Sequence, residues 1–366
     1  MSTQTIRRIG VLTGGGDCPG LNAVIRSITL SALHRGVEVV GVRDGYLGLI
    51  EDRVEALDEE SVESILLQGG TILGTSNRAN PAKFAVGKNA DGSPRFENVV
   101  DRCLATVERH RLDALLLIGG DGTMAGAEPL IRAGVNCIGV PKTIDNDLEG
   151  TDLTFGFLTA VGVASEALDR VFTTAHSHQR AIVVEVMGRN SGWISLFAGA
   201  ASGVPVILMP EAPFEWESVF KAVTDRRERG RMSTVICVSE GATARDGKQV
   251  VARVDPTSPD PIRLGGIAQM VAAEVEKATG VESRYVVLGH VQRGGTPEPA
   301  DRILGTQFGH RALTLLLEGK RNRLVGRRGF DEVDVDILSV VGKQRKVPLD
   351  HQVVMACRSL GVSFGD

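Results

Sequence analysis

Two carboxylates one residue apart stand in Pro141-Lys142-Thr143-Ile144-Asp145-Asn146-Asp147, directly after an apolar run from Cys137 to Val140. A short turn at the end of a strand can aim one acid at a nucleophile and its neighbour at a metal. Upstream, a second apolar run, Ala114 to Ile118, empties into Gly119-Gly120-Asp121-Gly122-Thr123, bare backbone carrying one acid at the mouth of a helix. The pair of loops points to phosphoryl transfer, a chemistry in which the protein chiefly positions groups and stabilises charge. Asp121 could hold Mg²⁺ directly or through water, or cap its helix. A second glycine loop, Thr13 to Gly20, follows the run Ile9 to Leu12. Its backbone donors suit phosphate oxygens at a helix start, and Pro19 costs nothing there. The loop is neither a Walker A motif nor GxGxxG, so it reads equally well as a tight strand–helix turn.

The elements that must hold these loops are short apolar strands alternating with amphipathic helices. Strands are expected at Ile9–Leu12, Val37–Val42, Ala114–Ile118, Cys137–Val140, Ala181–Val186, Val206–Leu208, Thr234–Val238 and Tyr285–Leu288. Helices are expected at Leu21–His34, Phe96–His110, Leu158–Thr173, Ser218–Arg229, Ile267–Ala278 and Ile303–Glu318, with Pro129 disturbing the helix that follows Asp121. This alternation is the signature of an α/β fold with parallel sheets covered by helices on both faces, whose ligands sit at the carboxyl ends of the strands. Ala242 to Arg263, rich in Asp, Pro, Thr and Ser, reads as a surface insertion.

At 366 residues the chain exceeds what one core usually sustains, so two lobes are expected. A net charge of -4, from 41 basic and 45 acidic residues, provides no general field for nucleic acid or an anionic membrane. Glycine is the unusual component, 44 residues against a typical ~7%, clustered after apolar runs where backbone must approach a ligand. Five cysteines without a CxxC pair argue against a disulfide framework or zinc site, and a cytoplasmic location is expected.

Taken with the Thr143 to Asp147 turn, Val186-Met187-Gly188-Arg189 and Gly289-His290-Val291-Gln292-Arg293-Gly294-Gly295 make the chain resemble the 6-phosphofructokinase family. Further matching segments are Asp44 to Leu49, Ser177 to Arg180 and Asp301 to Leu304, so the resemblance runs from about Ile9 past Asp301. It implies two doubly wound, Rossmann-like lobes with the active site in the cleft between them. Residues 1–156 plus about 292–335 would form the nucleotide-binding lobe, and 157–291 plus the C-terminal segment the sugar-phosphate lobe. The implied reaction moves the γ-phosphoryl group of ATP to the 1-hydroxyl of fructose 6-phosphate. By matching position, Asp145 would take the hydroxyl proton, Thr143 would contact the reacting end, Arg189 would stabilise the transferring group, and Asp121 with Asp147 would manage Mg²⁺. Gly15, Gly16, Arg78, Gly120, Asp121, Gly122 and Thr123 would face the nucleotide. Met187, Gly188, Arg189, Glu240, His290 and Arg293 would bind the sugar, with Arg180 and Arg284 gripping its 6-phosphate from a neighbouring subunit. Alone, His290 would read as a structural histidine. The resemblance therefore also implies a homo-oligomer, dimer or tetramer, with shared sites.

Gly122 and Lys142 bear on the donor. Pyrophosphate-using relatives carry Asp at the first position and Lys at the second, so this chain is mixed and resembles the actinobacterial-type subgroup. Glycine leaves room for the α-phosphate that an acid would crowd and repel; ATP is the expected donor, with pyrophosphate the alternative. The family's bacterial effector pocket for ADP and phosphoenolpyruvate is basic; here Arg26 matches it while Leu30, Glu59 and Ser233 stand at its other positions, so little effector response is expected. Two further readings are a silent sugar-phosphate sensor on the same fold and, from the GGDGT segment alone, a kinase like those acting on NAD or diacylglycerol.

Overall fold

The computed structural model describes residues 6–255 and 261–366. In chain order its principal strands are Arg8–Thr13 (β1), Glu38–Val42 (β2), Val54–Leu57 (β3), Ala114–Gly119 (β4), Cys137–Pro141 (β5), Ala181–Val186 (β6), Val206–Leu208 (β7), Thr234–Ser239 (β8), Ser283–Val287 (β9), Arg323–Arg328 (β10) and Asp331–Asp336 (β11). Every residue of β4, β6 and β8 is buried. Continuous apolar runs of this kind fit parallel strands enclosed on both faces. Seven strands form one sheet in the order β11-β10-β5-β4-β1-β2-β3, and four form a second, β9-β6-β8-β7. Pairing is parallel except where the large sheet ends, at β2–β3 and β10–β11.

Register explains why distant loops meet. Thr13 lies opposite Ile118 and Gly119 opposite Pro141, so β1, β4 and β5 end together and release their loops at one edge. In the second sheet Val186 faces Ser239, and Val287 faces Glu185, which brings Met187, Glu240 and the Gly289–Arg293 turn to a common edge as well. A continuous core joins the sheets: Ile118, Val140 and Ile144 belong to the same buried cluster as Val184, Trp193 and Phe308. The 22-residue helix Phe157–His178 starts after Gly156, at φ 94°. One of its first-turn N–H groups, which has no partner within the helix, is met from another helix: the buried Asp301 carboxylate accepts the Thr159 N–H (2.7 Å) and hydroxyl (2.6 Å).

Several expectations need correction. The helix expected over Phe96–His110 starts only at Val100, since Phe96 belongs to a hairpin strand, Pro94–Glu97, and the Asn98 side chain accepts the Val100 N–H at 3.0 Å. The last expected strand is displaced to Ser283–Val287. Pro129 does not break the helix Asp121–Arg132; its ring is accommodated and its carbonyl accepts the Ala133 N–H at 3.1 Å. The expected surface insertion contains an antiparallel pair, Val251–Val254 with Ile262–Leu264, and its residues 256–260 lie outside the described residues. All five cysteines are free and buried. Among the described residues no helix is long and apolar enough to cross a membrane.

Candidate active site

The Asp145 turn is built almost entirely by atoms other than its carboxylates. As β5 ends, the Lys142 N–H donates to the Gly119 carbonyl at 3.1 Å, carrying the pairing one residue further. Thr143 Oγ1 accepts the Asp145 N–H (3.1 Å), and the Thr143 carbonyl accepts the Thr154 hydroxyl (2.7 Å). Asn146, between the two acids, is left-handed at φ 50°, a conformation that Asn tolerates better than most residues. It is buried, with Oδ1 accepting the Thr154 N–H at 2.9 Å and Nδ2 donating to the Asp152 carbonyl at 3.3 Å. From the second sheet's side the Ser191 hydroxyl donates to the Asp145 carbonyl at 3.0 Å.

What this scaffold presents is an incomplete carboxylate. Asp145 Oδ1 is enclosed and without a hydrogen-bond partner among the described residues. An enclosed polar atom left unpaired costs about 1–3 kcal/mol, so this oxygen favours a ligand that brings a donor. Burial raises the Asp145 carboxyl, while Arg293 and Lys142 pull it back. Burial, with the charges of Asp145 and Asp121, pushes Asp147 up to about 7. Glu240 is likewise raised to about 7, first by burial and then by Asp145 and Glu185.

These shifts carry a sign for stability. Groups raised in the fold hold protons that the unfolded chain has already released, so Asp147 and Glu240 favour the folded state most at low pH and lose that contribution as pH rises through 7. The ligand-free Asp147→Asn protein should therefore lose less stability than wild type between pH 5 and 8. Urea midpoints across that range provide the measurement, and parallel curves for the two proteins would refute the assignment.

The glycine loops close around the same place. A side chain on Gly120 would come within 3.3 Å of the Lys142 carbonyl, and one on Gly16 within 2.7 Å of the Arg293 guanidinium. Lys142 is buried, its Nζ donates to the Gly16 carbonyl, and burial lowers its pKa. Arg293 donates to the Asp17 carbonyl at 3.0 Å. Asp121 opens the helix Asp121–Arg132 and its Oδ1 accepts the Gly342 N–H at 2.8 Å, while Thr123 is buried behind the loop. At Gly122, by contrast, an added side chain would meet nothing within 4 Å.

The second sheet supplies an open cavity of about 500 Å³ lined by Glu185, Met187, Glu240, Gly266, Val287 and His290, among others. Met187 is anchored by its N–H to Gln292 Oε1 at 3.3 Å. Gly188 needs its φ of 135°, and Arg189 lies close enough to Glu240 and Arg263 to feel both charges. Glu185, buried in β6, is turned to structure: its carboxylate accepts the Gly266 and Ala268 N–H groups at the start of the helix Ile267–Thr279.

Three expected residues are not gathered here. Arg180 immediately precedes β6 and Arg284 pairs with Ile182, so both stand at the amino ends of strands whose carboxyl ends hold Met187 and the Gly289–Arg293 turn. At ~3.3 Å per residue that separation is on the order of 20 Å. Both instead meet Glu282, Arg284 at 2.6 Å and Arg180 at 3.4 Å. Arg78 is exposed and pairs with Asp255 at 3.1 Å. Conversely, Ser191, Glu211 and Arg345 touch the site region without a sequence signal. Glu211 receives the Gly192 N–H at 3.0 Å and the Val347 N–H at 2.9 Å, while Arg345 donates to the Asn146 carbonyl at 3.1 Å.

Comparison with known proteins converges on one family, whose members are named for two different donors. A chain from Clostridium perfringens named ATP-dependent 6-phosphofructokinase 2 is 45% identical over 365 residues, covering 99% of this chain and 100% of its own length. One from Amycolatopsis methanolica named pyrophosphate–fructose 6-phosphate 1-phosphotransferase is 46% identical over 342 residues, covering 93% of this chain and 96% of that relative. Among solved structures, phosphofructokinase from Pichia pastoris in the T-state superposes with a TM-score of 0.78 at 28% identity, over 98% of this chain, which spans only 37% of the Pichia one. Since the family profile described as Phosphofructokinase also matches residues 8–316, the chain belongs to that family.

Proposed function

We infer that this protein is a glycolytic kinase that transfers the γ-phosphoryl group of ATP to the 1-hydroxyl of fructose 6-phosphate, giving the 1,6-bisphosphate and ADP. The observation that carries this reading is the enclosed, unpartnered Asp145 oxygen in the turn whose Lys142 carbonyl and Thr143 side chain abut Gly120. A sugar hydroxyl supplies the donor that this oxygen lacks. With a largely dissociative transition state, orienting the nucleophile matters more than base strength. Asp145 then takes the hydroxyl proton, Thr143 holds the turn against the reacting end, and Arg189 faces the transferring group, where a fixed cation acts most on the transition state. The nucleotide lies along Gly15, Gly16 and Gly120 to Thr123, and the sugar in the cavity of Met187, Glu240 and His290. Residues 1–156 with about 292–335 act as the nucleotide lobe and the remainder as the sugar lobe.

Asp121 and Asp147 suit Mg²⁺. They lie close enough for the Asp121 charge to raise Asp147, and among the described residues no group of three or more His, Cys, Asp or Glu gathers for a metal. Two carboxylates, with water and phosphates completing the shell, is how this ion usually binds. When bound it would neutralise charge on the β- and γ-phosphates.

Arg180 and Arg284, remote from their own chain's cavity, are proposed to grip the 6-phosphate of a neighbouring subunit's substrate in a homo-oligomer; a guanidinium fork fits a phosphate dianion. Arg284→Ala should raise KM for fructose 6-phosphate by about 10- to 100-fold, the scale of one hydrogen bond to a charged group. Refolding an equal mixture of Arg284→Ala and Asp145→Ser dimers should return about a quarter of wild-type activity, because half the molecules are hybrids with one intact site. Activity no greater than the sum of the separate parents would exclude shared sites.

The donor is settled by a coupled assay offering Mg-ATP or pyrophosphate with fructose 6-phosphate. Turnover with ATP is expected; turnover with pyrophosphate alone would overturn the assignment, and no turnover with either would favour a silent sensor.

A further inference from the structure

The family profile ends at residue 316, yet the chain beyond it reaches the acids. The Gly342 N–H holds Asp121 Oδ1 at 2.8 Å, Gln344 bridges to Leu148, and the Val347 N–H reaches Glu211, whose carboxylate also receives the Gly192 N–H. Between them Arg345 makes the densest set of contacts. Its own N–H donates to the Asp147 carbonyl at 2.8 Å and its Nη1 to the Asn146 carbonyl at 3.1 Å. Its guanidinium lies 4.2 Å from the Trp193 ring, and its carbonyl accepts the Trp193 Nε1–H at 3.1 Å. Two of these bonds end on consecutive carbonyls of the turn that places Asp145 and Asp147, one of them on left-handed Asn146.

We propose that Arg345 is a positioning residue for phosphoryl transfer: clamped against Trp193, it fixes the left-handed turn and so the direction of the Asp145 carboxylate relative to the donor loop. The inference rests on the kinase reading above. Arg345 touches carbonyls rather than reacting groups, so its loss should slow the chemical step while leaving both substrates able to bind. A carboxylate displaced by about 1 Å can cost on the order of 10²-fold in rate.

The test compares Arg345→Met, Arg345→Lys and Trp193→Phe with wild type for kcat, for KM of fructose 6-phosphate and of Mg-ATP, and for thermal midpoint. Wild-type turnover comes first; its absence would sink the kinase reading itself and not this clamp alone. For Arg345→Met, kcat is expected to fall ~30- to 100-fold with both KM values within about threefold. Arg345→Lys, which keeps the charge but not the planar fork, should recover only part of the loss. Trp193→Phe keeps a ring but loses the indole donor, and should fall less, by about three- to tenfold. The last two carry the test should Arg345→Met fail to fold. A kcat within twofold of wild type in the folded variants would overturn the proposal, as would losses tracking the thermal midpoint with KM and kcat moving together.

Discussion

Asp145→Ser should reduce turnover by roughly 10³-fold or more while fructose 6-phosphate binds within a few-fold of wild type. The size follows from removing a positioned general base, typically worth about 10²- to 10⁴-fold. Survival of the fold and of binding follows from the way the turn is built. Its bonds run through the Asp145 N–H and carbonyl, Thr143, Thr154 and Asn146, none of which uses the Asp145 side chain. The substitution also removes an enclosed oxygen with no partner, which offsets part of the lost attraction to Lys142 and Arg293, so the variant should still fold. Steady-state kinetics and calorimetric titration with fructose 6-phosphate check both halves. Turnover within tenfold of wild type would remove Asp145 from the chemistry.

Gly122→Asp should cut kcat/KM for Mg-ATP by between about tenfold and 10³-fold and leave pyrophosphate use within about threefold or improved. Position 122 is exposed at the start of the helix Asp121–Arg132, and a side chain there meets nothing within 4 Å. The change therefore acts through charge on the ligand, not through misfolding. Like charges ~4 Å apart repel by about 4 kcal/mol at an effective dielectric of ~20, falling toward 1 kcal/mol in full contact with water. The A. methanolica relative named for pyrophosphate and the C. perfringens relative named for ATP are nearly equally similar to this chain, so whole-chain identity does not discriminate donors. Equal losses with both donors, or none with ATP, would show that the residue does not select between them.

Where the chain buries a strand on both faces, the strand was legible. Ala114–Ile118, Cys137–Val140 and Ala181–Val186 stand out as apolar runs because helices cover both sides of those strands. The direction of such strands also makes the placement of Asp121, Asp145, Met187 and Glu240 readable, since each follows a run into a loop. β3, β10 and β11 escaped because Val54-Glu55-Ala56-Leu57 is only four residues long and interrupted by Glu55, and RLVGRR and DEVDVD carry charge through a strand pairing where the large sheet ends. The helix Trp193–Ala201 is buried over most of its surface, which erases the polar face that a 3.6-residue pattern needs. Arg345 was invisible for a different reason: it sits in a polar stretch, and its partners Asn146, Asp147 and Trp193 are joined to it only by tertiary packing.

The late return of the chain to the large sheet has a consequence for biosynthesis. Because β10 pairs with β5 and Gly342 then secures Asp121, a nascent polypeptide emerging from the ribosome would carry both glycine loops long before the acids are locked in place. Competence would wait until the segment around Gly342 has emerged, so a shorter nascent product should not squander nucleotide.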